Sequence, residues 1–546
     1  MKLFQKLLLA PAALGLLAPV AANAADVNIA GLSQYGTEEQ VTSITQFSDV
    51  QPTDWAYQAL SNLIERYGCV AGYPNGTYRG NRAMTRYEAA ALLNACLDRI
   101  TEVTDELKRL MKEFERELAV LRGRVDGLEA RVGELEATQF STTTKLRGLA
   151  TFVVGANSFT GTNNSQADKL IPYTPAYNKA NYGATTFNYD VRLILDTSFT
   201  GKDLLRTVLR AGDFNGTAYF NGLTALETAF QSPAADNVVA INRLFYNFPV
   251  GKDFSVTAGA KVSVDDAGML GMWPSVYPAD TVLDFFTYAG APGAYDLDGL
   301  GGGFGATYNN VLGMEGVTLS SNYVSINSSN GNPNAGGLMT DGASSVSVTQ
   351  LAYTGGKAPL VGGSAWAIAA AYTYSQNNSL FIATPLAFQY GGTGSTNSFG
   401  LSGYWVPENT GWIPSVSTGW GTSSFQNGLS GTDSWAKAQS WYVGLQWPDT
   451  FVKGNDLGMA VGQAPFITSA GKGDFAAATG VNTPLDSNYM WEWWYKFQVT
   501  DNITVTPALY YINNYDGMAG KYNLSNGNYN ATNKVFGGLL KTTFKF

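Results

Sequence analysis

The chain has 546 residues, a formal net charge of −9 and only 14% charged side chains, against roughly 25% in ordinary soluble domains. It has no His and 2 Cys, which excludes Ser-His-Asp and Cys-His catalysis, imidazole metal centres, a four-cysteine zinc site and a disulfide-rich scaffold. The acidic balance argues against a nucleic-acid partner, and the length leaves room for several domains.

Residues 1–24 read as a secretory signal peptide. Lys2 and Lys6 start it, Leu7 to Val20 is apolar, and Ala22-Asn23-Ala24 is a small-residue cleavage site. Pro11 and Pro19 interrupt the run, and it falls short of the ~20 residues of a membrane span. A linker, 25–46, follows.

Residues 47–97 carry Phe47-Ser48-Asp49-Val50, Trp55, and Ala59, Leu60, Leu63 and Ile64 at helical spacing. The loop Gly72-Tyr73-Pro74-Asn75-Gly76 comes next. Thr85-Arg86-Tyr87-Glu88 then opens a second helix with a capping box. This order resembles the S-layer homology (SLH) family, which usually has Ala where this chain has Tyr87. The resemblance implies binding to polysaccharide attached to peptidoglycan, through Asp49, Trp55 and Arg86. An aromatic platform beside an Arg fork suits an anionic glycan; the structural alternative makes Trp55 a core anchor and Arg86 a capping residue. In an exported chain, Cys69 and Cys96 are expected to form a disulfide.

Residues 98–137 carry 8 basic and 11 acidic side chains. Leu93, Ile100, Leu107, Phe114, Leu121, Leu128 and Leu135 repeat every seven residues. So do Leu97, Thr104, Met111, Leu118, Val125 and Val132, which places the two sets at heptad positions d and a. A narrow apolar seam on a charged helix implies self-association, so 98–138 is expected to be a coiled-coil oligomerisation helix. SLH modules commonly act in threes. One module per chain therefore favours a homotrimer.

From about residue 143 the period changes from seven to two. Sixteen candidate strands centre near 149, 193, 208, 245, 258, 305, 320, 350, 369, 401, 418, 442, 459, 494, 508 and 541. Short turns such as Gly201-Lys202, Val250-Gly251-Lys252, Asn309-Asn310 and Asp501-Asn502 alternate with long Gly/Asn/Ser-rich loops. Outward faces are aromatic, as with Trp491, Trp493, Tyr495 and Phe497, and the chain ends on Phe544 and Phe546. This is the pattern of an outer-membrane barrel; a secreted β-sandwich would leave the aromatic faces unexplained. The fold class is mainly β: a 16-stranded antiparallel transmembrane β-barrel over 139–546, preceded by a small α-helical SLH module and a coiled-coil helix.

Alternation sends Lys145, Arg147, Arg192, Arg206, Arg210, Arg243 and Lys261 into the lumen, beside Asp190 and Asp196. The segment 263–300 holds Asp265, Asp266, Asp280, Asp284, Asp296 and Asp298 and no Lys or Arg. In general porins the corresponding loop folds into the lumen. By that resemblance an acidic loop would face a basic wall and select small polar or ionic solutes. Trp494, facing inward, offers a stacking surface for a sugar. Gly299 to Gly305 is glycine-rich, but no helix follows to make a phosphate loop.

The whole order resembles the cyanobacterial outer-membrane porins grouped as iron-uptake or OprB-like porins. It implies passive diffusion of small ions and hydrophilic solutes across the outer membrane, with the N-terminal module in the periplasm. The alternative is a tether between membrane and wall with a largely plugged barrel. No enzyme activity, cofactor or metal is expected. The expected partners are outer-membrane lipid, peptidoglycan-linked polysaccharide and further copies of the chain.

Overall fold

A computed structural model describes residues 143–162, 167–170, 172–220, 222–229, 236–278, 282–295, 299–356, 365–408, 411–427, 434–471, 483–521 and 532–546, with isolated positions at 45, 48–53, 57, 61, 112, 113 and 115. Two compact units divide the chain, Met1–Gln139 and Phe140–Phe546. Of the expected N-terminal sites, Asp49 lies in an exposed turn. Trp55, Arg86, Cys69, Cys96 and the heptad seam lie outside the described residues. Lys112, Glu113 and Glu115, which fall off that seam, are helical and exposed.

The second unit is a closed antiparallel barrel of sixteen strands. They are β1 (Thr144–Gly161), β2 (Thr186–Thr197), β3 (Leu204–Gly212), β4 (Ala240–Val250), β5 (Phe254–Ser263), β6 (Leu300–Asn309), β7 (Val317–Ser325) and β8 (Ser345–Gly355). The other half comprises β9 (Ala365–Gln376), β10 (Ser395–Val406), β11 (Ser415–Gln426), β12 (Trp435–Trp447), β13 (Asp456–Ala470), β14 (Tyr489–Thr500), β15 (Ile503–Asn513) and β16 (Asn533–Lys545). Each expected strand centre falls within one of them. Every strand pairs with its chain neighbours, and β1 closes on β16 with Leu149 opposite Lys545. Closure satisfies the strand edges that lipid cannot hydrogen-bond.

The two-residue period sorts the side chains. Leu146, Phe152 and Val154 of β1 face outward and are exposed, whereas Thr151, Val153 and Phe159 face inward and are buried. Trp493, Phe536 and Leu540 continue the outer apolar face. The glycine-rich 299–305 segment runs into β6, whose glycines pack closely against β7. Short turns join the strands at the end where β1 begins; Gly201 (φ 79°) serves one of them. At the other end the connections are longer, except 427–434, which matches the turns in length.

The interior is not an empty tube. Described residues of the connections 213–239, 264–299, 377–394 and 514–532 fold inward and form two apolar clusters with the wall. One gathers Phe214, Tyr219, Leu226, Phe285, Phe286, Tyr442 and Trp494. The other gathers Phe245, Val262, Met269, Tyr295, Tyr390 and Phe425. The core of this barrel therefore sits inside it, as in a small filled barrel, despite a strand count that suits an aqueous lumen.

Candidate functional site

The basic wall is built by alternation and then tied by register. Strand β2 sets Asp190 opposite Gly212 and Arg192 opposite Arg210, while Asp196 meets Arg206 on β3 and Lys145 on β1. Asp196 accepts from Arg206 Nε at 2.7 Å and Nη2 at 3.0 Å, and also pairs with Arg147. Asp190 accepts from Arg192 Nε at 2.7 Å and from Arg210 Nε at 2.6 Å. Each aspartate thus bridges two arginines. Arg210 and Asp190 are almost fully buried, at 5% and 2% side-chain exposure. Such a pair persists because hydrogen bonds replace the lost water. The same guanidiniums reach the loop after β3: Arg210 Nη2 donates to the Thr228 carbonyl at 3.1 Å and Arg192 Nη2 to that of Glu227 at 3.5 Å. Charge left open to water gathers toward the short-turn mouth, where Lys145 and Arg147 are exposed.

Lys261 departs from simple alternation. The register steps from Gly259 opposite Gly303 to Val262 opposite Gly301, a bulge. Beyond it Val262 is fully buried, while Lys261 pairs with Leu244 and is half-buried. An extra residue shifts parity, which sequence alternation cannot register.

The acidic face expected on 263–300 is only partly formed among the described residues. Asp266 meets the wall: its Oδ2 lies 2.8 Å from Arg243 Nε and 2.7 Å from the Ser263 amide. Burial pushes its carboxyl up to about 6, although Arg243 pulls the other way. Asp265 is exposed. Asp284 is buried at 2% in a short helical turn, where its amide donates to the Ala225 carbonyl. Asp280, Asp296 and Asp298 lie outside the described residues. The wall arginines are held chiefly by Asp190 and Asp196.

Loop 264–299 does cross the interior, and it is latched to the far wall by neutral groups and one carboxylate. Glu492 of β14 is fully buried; Tyr277 Oη donates to its Oε1 at 2.6 Å and the Leu283 amide to its Oε2 at 2.8 Å. Trp494 Nε1 donates to Tyr277 Oη at 2.8 Å. At 3% exposure, Trp494 is packed under the loop and presents no free face to a sugar. Farther along, the hydroxyls of Ser402, Ser440 and Thr373 donate to the carbonyls of Ala289, Gly290 and Ala294 at 2.7 to 2.8 Å. The approach is close: a Cβ at Gly419 would lie 1.9 Å from the Ala289 oxygen. Glycine on the inner face of β11 is what admits the loop. Glu492 had a legible signal, an acid alternating with outward Trp491 and Trp493; its two partners had none.

The long-loop end is stitched by two more buried carboxylates. Asp486 accepts from Thr384 Oγ1 at 2.6 Å and from the amides of Ile467 at 2.7 Å and Met518 at 2.8 Å. Asp516 accepts from Asn178 Nδ2 at 2.7 Å and from Asn533. Burial raises its carboxyl to about 7. Among the described residues no cluster of three or more His, Cys, Asp or Glu could hold a metal ion.

Comparison with known proteins agrees with this architecture. Residues 102–546 match the family described as carbohydrate-selective porin, OprB family, and residues 46–90 match the S-layer homology domain. The chain is 37% identical to the uncharacterized protein alr4550 of Nostoc sp. (strain PCC 7120), covering 93% of this chain and 86% of that one. It is 33% identical to the uncharacterized protein sll0772 of Synechocystis sp. (strain PCC 6803), covering 93% and 91%. The outer membrane protein SlpA of Thermus thermophilus is 36% identical over 103 residues, 16% of this chain and 11% of that one. Among solved structures, OprB of Pseudomonas putida aligns with 14% identity and a TM-score of 0.47, covering 76% of this chain and 96% of that one. A closed sixteen-stranded barrel with an infolded loop, joined to an S-layer homology domain, places this chain in the carbohydrate-selective porin (OprB) family, as an outer-membrane channel protein and not an enzyme.

Proposed function

We propose that the chain is a passive diffusion channel for small ions and hydrophilic solutes, neutral sugars among them. The supporting observation is loop 264–299, drawn across the interior and latched at Glu492 while β1 to β4 line the near side with arginines bridged by aspartates. Alternating guanidinium forks and carboxylates can replace the hydration of a polar solute and reject an apolar one. With each aspartate bridging two arginines the wall keeps an excess of positive charge that suits an anion, its hydrogen-bonding groups suit a neutral polyhydroxyl compound as well, and the family's description makes sugars the first class to test. The N-terminal module would hold the barrel to peptidoglycan-linked polysaccharide in the periplasm through Asp49, Trp55 and Arg86. The heptads of 98–138 would gather three chains.

One observation favours a second reading, a tether with a plugged barrel: both interior apolar clusters are built from infolded loops. Planar-bilayer recording and vesicle swelling in sugars of graded size separate the two. Conductance steps with faster swelling in the smaller sugars support a channel. A folded protein that gives neither leaves the tether. Deleting residues 47–97 should abolish binding to isolated cell walls and leave the steps unchanged.

A further inference from the structure

The short-turn rim carries large apolar side chains where water would be expected to favour polar ones. Trp412 is 97% exposed, Phe451 89% and Leu312 83%, and Phe199, Met314, Ile413 and Val452 are exposed beside them. These lie on the turns between β2 and β3, β6 and β7, β10 and β11, and β12 and β13. Leu312 (φ 53°) and Phe451 (φ 62°) are held in the left-handed region. Gly or Asn would be less strained there and better hydrated. Nothing inside the barrel accounts for bulky residues at these tips.

Each of the four turns is also bound by the polar tip of an outward-facing aromatic residue. Tyr246 Oη donates to Asp203 Oδ2 at 2.8 Å, and Tyr308 Oη accepts from the Leu312 amide at 2.9 Å. Trp447 Nε1 donates to the Trp412 carbonyl at 3.0 Å and Tyr495 Oη to the Thr450 carbonyl at 2.7 Å. Belt aromatics ordinarily aim such tips at lipid headgroups and so mark the membrane boundary. Here the tips are satisfied by the turns, so they do not require headgroups at their own level. At two of the turns the outer aromatic surface reaches the tip: Phe199 packs on Tyr246 at 6.4 Å, which stacks on Phe248 at 5.5 Å, and Phe451 packs on Tyr495 at 6.1 Å, which meets Phe497 at 4.6 Å. Exposed Lys202 and Lys453 share turns with Phe199 and Phe451, and exposed Lys252 is on the β4–β5 turn between the first two of the four. A long ammonium side chain can rise past an apolar contact to a phosphate.

We propose that Phe199, Leu312, Trp412 and Phe451 form a lipid-anchoring collar, seated at the headgroup–acyl boundary of the periplasmic leaflet, with Lys202, Lys252 and Lys453 on phospholipid phosphates. The collar carries the membrane boundary past the strand ends to the turn tips. It depends on the barrel being in the membrane and is independent of whether the barrel conducts. The test places single nitroxide labels in the full chain with Cys69→Ser and Cys96→Ser, at Phe199→Cys, Trp412→Cys or Phe451→Cys. Leu401→Cys, on the outer wall, is the lipid reference, and Asn332→Cys, on a long loop, is the water reference. Each variant is reconstituted in phosphatidylethanolamine–phosphatidylglycerol vesicles, with the folded band on an unheated gel as the check on structure. Relative accessibility to oxygen and to a water-soluble nickel complex is then read. The collar predicts at the turns an oxygen preference between those of Leu401→Cys and Asn332→Cys, as befits the headgroup–acyl boundary. A nickel preference like that of Asn332→Cys overturns it, and so does shielding from both reagents, which would mean that another protein chain covers the rim.

Discussion

Glu492 holds two donors from loop 264–299 in a place closed to water. Removing a buried acceptor costs about 1–3 kcal/mol for each donor left unpaired. In Glu492→Ala that cost falls on the Tyr277 hydroxyl and the Leu283 amide, both in the loop, so the barrel should fold while the loop loosens. The expected outcome is larger and noisier single-channel steps than the parent gives, with Glu492→Gln in between. Equal steps in all three would mean that the loop does not set the conducting path. At this scale the sequence told which face a residue takes, because period two is arithmetic along one strand. It did not tell partners. Asp190 bridging Arg192 and Arg210 depends on the register between β2 and β3, and Lys261 falls at a bulge whose extra residue leaves no mark on composition.

Strands and loops differ in how much their composition reveals. All sixteen strands carry their own alternation, so each was legible by itself. The inward folding of 213–239, 377–394 and 514–532 was not, and for 264–299, expected by resemblance alone, the anchors were hidden, being hydroxyl-to-carbonyl contacts and glycines such as Gly400, Gly419 and Gly421 whose missing Cβ leaves room for the loop. The loop-to-loop stitch at Asp516 gives a pH prediction. Burial raises its carboxyl from 3.8 to about 7, so the folded cap binds a proton that the opened cap releases. Stability therefore falls as pH rises from about 4 through about 7, and the contribution is fully present only at the acid end. Amide exchange in the helix Pro175–Tyr182, which supplies Asn178, should show protection declining across that range after correction for intrinsic rates. Asp516→Asn should flatten the profile; an unchanged slope would assign it elsewhere.

For the whole molecule, closure is the governing fact. Strand β16 serves two neighbours, β1 and β15. Deleting residues 533–546 therefore removes two ladders and opens two edges at once. The expected result is loss of the folded band on an unheated gel, a far larger effect than trimming any long loop. Closure also has a kinetic side. Neighbouring strands can pair as they are made, but the first strand also pairs with the last, so the barrel cannot close until the final residues arrive. Contacts this distant along the chain form slowly. A chain whose β region holds little charge must spend that interval uncollapsed in an aqueous compartment, where exposed apolar strands aggregate. The interval of that exposure is set by the closing of one pair of strands, β1 and β16.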